Sequence, residues 1–330
     1  MMRISATILI LGWLSTHLLP AQSTPTRRSA PQSASGNEVR PPEVFARVQH
    51  LQHQLELIRQ HLQAPKPSGP PVLQVVEAAP REVYFQALTL LRKADRMAFE
   101  QVRRRYGTFE HAPSGDLTPS DVLQVVEAIC ARLQEIIEHL GIDPDSTSPP
   151  LSDGSKKPTE VFHAIVDANR QLNLMLKEQF SAGDVYQQVT LAVGYGARLL
   201  SLYPQADRIP PPPELPANLE AGDVFRQLVE CFSLVRRTAV HWELDTLELS
   251  DRLNPVQAEP SDVYDLASVL VSELAYLCSR HPQLKPPRAV HDLGEKTPSE
   301  LYQRSGVLLE QLKQLNQLTA PSPAAAEGGS

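Results

Sequence analysis

The chain has 330 residues, with 31 Lys+Arg against 38 Asp+Glu, a formal net charge of −7 and an isoelectric point near 5.8. That balance argues against a nucleic-acid partner, which rewards a basic face, and 5% aromatic residues leave little for stacking bases. Three cysteines with no CxxC spacing leave a zinc site, a redox motif and a c-type haem attachment unsupported.

The N-terminus carries Arg3, a short apolar run from Ile4 to Leu14, and Ala21-Gln22-Ser23. A basic start, an apolar stretch and a small-residue end predict an export signal peptide over residues 1–23. The run is short and interrupted for a membrane span. No later stretch is apolar over a membrane-spanning length, so no stable span is expected after signal cleavage. The expected location is therefore periplasmic or extracellular. Residues 24–40, rich in Ser, Pro, Thr, Gln and Arg, are expected to form a disordered linker, and 319–330 a disordered tail.

A repeat begins at residue 41. Val44, Val83, Val122 and Val161 are spaced by 39 residues; a step of 24 leads to Val185; Val224, Val263 and Leu301 come next at 39, 39 and 38. Each lies directly after an Asp or Glu, as in Thr118-Pro119-Ser120-Asp121-Val122 and Thr297-Pro298-Ser299-Glu300-Leu301. The pattern reads as a helix start. Thr suits the N-cap, and Pro suits the first helical position because its missing N–H would be unpaired there. The acid at the third position can reach back to the cap N–H and faces the positive end of the helix dipole. Recurrence before every apolar pattern assigns these acids to capping rather than to catalysis or modification.

The stretch after each signature is amphipathic. Val122, Val125, Val126, Ile129, Leu133, Ile136, Ile137 and Leu140 recur at spacings of three and four, as do Leu301, Leu308, Leu312 and Leu315. Helices of roughly 18 to 25 residues, about 27 to 38 Å, are predicted. Gly107, Gly141, Pro204 and Pro282 mark four expected stops. Between helices lie Pro-rich connectors such as Pro65 to Pro71, Pro210 to Pro213 and Pro286-Pro287. These must be extended, because proline removes a donor and fixes φ. At about 12 to 19 residues they are long for joining antiparallel neighbours, which need about 2 to 8, and long enough to return along a helix.

The predicted fold is all-α: tandem single-helix repeats of about 39 residues joined by extended Pro-rich connectors. Repeats 1–4 occupy residues 41–181 and repeats 5–8 residues 182–318, as two four-helix units with parallel helices. The competing arrangement is one continuous eight-unit solenoid. Scattered apolar residues on the connectors, including Leu151, Leu215 and Val290, are expected to cover grooves. The unit differs from tetratricopeptide, ankyrin and HEAT repeats, which build two helices each.

Chemical motifs are sparse. Glu160 and His163 form one ExxH, whereas a di-iron bundle needs two and further carboxylates. His50 and His53 lie one turn apart without a third ligand nearby. Gly194-Tyr195-Gly196 lacks the third glycine of a nucleotide loop and reads as small residues for close helix packing. Cys130, Cys231 and Cys278 read as buried thiols, with one disulfide and one leftover thiol as the competitor. Arg92, Lys93, Arg96 and Arg103 to Arg105 are expected on a solvated surface near a helix C-terminus, with contact to an anionic ligand or membrane surface as the competitor. Val72 to Ala78 repeats Val122 to Ala128 residue for residue; lying in a connector, it is expected to form a short helical turn packed on the core.

No catalytic, cofactor-binding or metal-ligating residue is assigned, and no cofactor is implied. The expected function is an exported non-enzymatic binding or scaffold module, whose partner is a protein or cell-envelope component. A small-molecule or lipid carrier using a bundle cavity is the alternative.

Overall fold

Eight acids set the starts of eight helices. In the computed structural model these are α1 (Pro41–Leu62), α2 (Pro80–Val102), α3 (Pro119–His139), α4 (Pro158–Asn173), α5 (Ala182–Leu200), α6 (Ala221–His241), α7 (Pro260–Ser279) and α8 (Pro298–Thr319). The residues described are 39–69, 71–107, 109, 116–143, 154–177, 180–215, 217–251, 253–288, 290 and 294–320. The expected signal peptide, most of the linker and of the tail, and Leu151 lie outside them. No strand occurs among the described residues, and the fold is all-α.

At every start the third-position acid accepts the backbone N–H of the N-cap residue: Glu43 at 3.3 Å, Glu82 at 2.6, Asp121 at 2.7, Glu160 and Asp184 at 2.8, Asp223, Asp262 and Glu300 at 2.9. The reciprocal side-chain cap comes only from Thr118, Ser181 and Thr297. The motif is thus a capping box whose acid half is present throughout. In α5 and α6 the second helical position is glycine for a steric reason. A Cβ on Gly183 would lie 2.7 Å from the Gly294 carbonyl oxygen, and one on Gly222 2.4 Å from that of Pro255. Connectors cross these helix starts at backbone contact, which only glycine permits.

Pro41, Pro80, Pro119 and Pro158, with Val44, Val83, Val122 and Val161, line one apolar recess. Four helix N-termini therefore meet at one end, and α1–α4 run parallel. Helix α1 packs on α3 and α4, and so does α2, which places α1 diagonal to α2 and α3 diagonal to α4. The same pattern joins α5 and α6 to α7 and α8. Parallel packing there shows in matched levels: Gln311 of α8 meets the Val193 carbonyl of α5, Ser305 meets Gln227 of α6, and the ends of α6 and α8 touch through His241 and Thr319.

Chain return falls to the connectors. After α5, Arg208 O accepts from Gln311 at 2.6 Å and Pro213 O from Gln303 at 2.8 Å, so this connector travels toward the N-terminus of α8 along its length. Residues 74–76 and 248–250 run side by side, with Val75 and Leu249 forming an isolated antiparallel bridge. This corrects the expectation of a helical turn at Val72–Ala78: the segment buries Leu73 and Val75 in the core as expected, but in extended form. Helix α2 also stops earlier than Gly107. It ends at Val102, where Arg103 takes the left-handed cap conformation at φ 57°. Leu215 stands 56% exposed, short of the groove cover expected of it, while Val290 is half-buried.

Candidate functional site

The two helix groups join through α2 and α7. Each carries a polar stripe at helical spacing: Glu82, Gln86, Thr89 and Lys93 on α2; Asp265, Ser268, Ser272 and Glu273 on α7. All eight side chains are buried. Arg81 reaches Glu273 at 3.2 Å and Lys93 reaches Asp265 at 3.3 Å, so α2 and α7 are antiparallel. Gln86 donates to the Asp265 carbonyl at 3.1 Å and takes a bond from Asn169 of α4 at 3.2 Å. Tyr264 O–H is shared by Arg92 and Gln188, both at 3.0 Å.

Burial sets the electrostatics of this seam. It holds the Asp265 carboxyl above its ordinary range, against the pull of the Lys93 ammonium. Burial and the adjacent Glu82 carboxyl push Glu273 well up, with Arg81 opposing. Arg81 also lies 2.6 Å from Glu82 and stacks 3.9 Å from the Tyr276 ring centre.

The basic cluster is therefore reassigned in part. Arg92 is exposed, but Lys93 is wholly buried and paired across the seam, and Arg96 lies 3.7 Å from both Glu100 and Asp184. Arg104 pairs with Glu135 at 3.0 Å, and Arg103 and Arg105 lie against Phe99. The readable signal was spacing: polar residues four, three and four apart along α2 describe one face, which the sequence alone assigns to solvent.

The remaining motif residues are not gathered. Glu160 is occupied by the Lys157 N–H and the Lys156 ammonium, and His163 stacks edge-on against Phe162. His50 and His53 lie on α1 without joining a metal-binding group, and none is found among the described residues. Gly194 and Gly196 sit in α5, where added Cβ atoms would lie 2.9 Å from Pro287 and 2.7 Å from Gln311. Cys130, Cys231 and Cys278 are free and buried in separate places, and burial pushes the Cys130 and Cys278 thiols up to about 12.

A surface feature stands outside this interior. Among the described residues the exposed large aliphatic side chains are Val76, Ile209, Leu215, Val240 and Val256; Val240 lies on α6, Val256 on the short 3-10 turn Pro255–Gln257, and the other three on connectors. No described helix is long and apolar enough to cross a membrane. No protein-family model matches the chain, and no curated protein or solved structure matches it.

Proposed function

We propose that this protein is an exported, non-enzymatic helical-repeat module that binds or scaffolds another protein or a cell-envelope component. The observation that carries this reading is the display of apolar side chains on the Pro-rich connectors, with Leu215 at 56% exposure and Ile209 at 54%. Proline-rich extended backbone is pre-ordered and forfeits little entropy on binding. Apolar groups on it are presented to a partner instead of filling the core. The helices beneath form the platform, and their polar seam is crossed by the Lys93–Asp265 and Arg81–Glu273 ion pairs.

Two measurements test it. Chemical cross-linking in the envelope fraction of the producing cell, followed by affinity capture, is expected to retain a defined partner. Ile209→Asp with Leu215→Asp is expected to release that partner while the melting temperature stays unchanged. Equal capture by wild type and variant would overturn the connector surface as the binding element. Intact-mass measurement of the secreted product tests export: a species beginning after Ser23 is expected, and a mature form retaining Met1 would overturn it.

A further inference from the structure

We infer that the cleft between the two helix groups, beside the start of α7, binds a small zwitterion of the amino-acid or short-peptide class. The cleft encloses about 650 Å3, a volume typical of small-molecule sites. Its charged groups are sorted by wall. Lys66 on the first connector and Arg170 on α4 supply cations, and Glu259 and Asp262 at the start of α7 supply carboxyls. A ligand carrying a carboxylate and an ammonium meets a favourable partner on both walls. A simple anion or cation meets one favourable and one repulsive wall.

The cationic wall is held in place. Arg170 donates to the Ser68 carbonyl at 2.9 Å and the Gly69 carbonyl at 3.2 Å, which ties the connector down and leaves further guanidinium donors of its five. Lys66 is shared with Glu56 at 3.4 Å, an exposed pair that a carboxylate can exchange into. On the other wall, Asp262 accepts the Glu259 N–H at 2.9 Å, and a carboxylate has lone pairs beyond that one bond.

Asn173 also belongs to the lining of this cleft. It is 3% exposed, and its Oδ1 accepts no hydrogen bond. None of the exposed residues Val76, Ile209, Leu215 or Val256 lines the cleft, so the site stands or falls separately from the proposed protein-binding surface.

Isothermal titration calorimetry of the full chain tests the assignment, with alanyl-alanine as probe beside its N-acetylated, C-amidated and doubly blocked forms. Saturable one-to-one binding of the free dipeptide is expected, with at least a tenfold loss for each singly blocked form and none bound for the doubly blocked one. Free alanine, titrated in parallel, separates an amino-acid site from a peptide site. Glu259→Gln changes an exposed side chain whose own capping contribution is from the backbone, so it should weaken dipeptide binding at least threefold without moving the melt. Absence of dipeptide binding at millimolar concentration would overturn the proposal, as would equal affinity for free and blocked forms or wild-type binding by Glu259→Gln.

Discussion

Glu273 combines full burial with two neighbours of opposite effect, Glu82 and Arg81. Its native pKa is raised, so the neutral carboxyl is the form that suits the fold. The stability this contributes is complete below the unfolded value of about 4.3. It is lost as pH climbs toward the raised native value, at about 1.4 kcal/mol per pH unit for one proton. Glu273→Gln keeps the shape and removes the titration. Melts from pH 5 to 8 should therefore show the variant gaining on wild type as pH rises; parallel curves would mean that another group carries the dependence. Asp265, and Asp262 at about 6, act in the same direction and cancel in the comparison. The three cysteines make a second residue-scale expectation. Being buried with raised pKa values, they should resist Ellman's reagent in the native protein and all react in denaturant, since the thiolate is the reactive form. Fewer than three thiols in denaturant would reveal a disulfide.

At the scale of the element, the eight helix starts differ in their side-chain caps. Thr118 provides a side-chain cap to α3, whereas Ala79 provides none to α2. Thr118→Ala should cost about 1 kcal/mol, and Ala79→Ser should stabilise by a similar amount. Urea unfolding measures both, and a neutral Ala79→Ser would show that the Glu82 bond alone satisfies that start. The starts and amphipathic faces were readable in the chain because capping and periodicity involve residues within a turn or two of each other. The end of α2 was not. Arg103 takes a left-handed cap that glycine usually supplies, so Gly107 marks the stop too late.

For the whole molecule, the decisive contact is the α2–α7 seam. Asp265→Asn or →Leu leaves Lys93 buried without its counterion, which should destabilise by roughly 3–5 kcal/mol. Replacing both, as Lys93→Met with Asp265→Leu, should recover most of the loss, because a buried ion pair often contributes little over apolar packing of similar volume. Denaturant unfolding of the two singles and the double measures the coupling. A single variant as stable as wild type would place the pair in contact with water. The seam was written in the sequence as two polar stripes at helical spacing, but a stripe that faces water and one that faces another stripe share the same pattern. For the same reason the cleft lined by Lys66, Arg170, Asn173 and Asp262 could not be read: its walls come from positions about 100 and 90 residues apart along the chain.

The heptapeptide shared by Val72–Ala78 and Val122–Ala128 separates what each level determines. By itself the sequence determined that the chain is all-α, where its helices start and which faces are apolar, since backbone capping and side-chain spacing are local. Val122–Ala128 comes directly after Thr118-Pro119-Ser120-Asp121 and continues as α3. The identical residues at Val72–Ala78 come after Pro70-Pro71 and precede Ala79-Pro80, leaving no room for a stable helix. There they extend and pair with residues 248–250. That pairing, the diagonal placement of sequential helices and the burial of Lys93 were decided only in the tertiary structure. Each requires two distant segments to satisfy one another's hydrogen bonds and charges, a condition that neither segment carries alone.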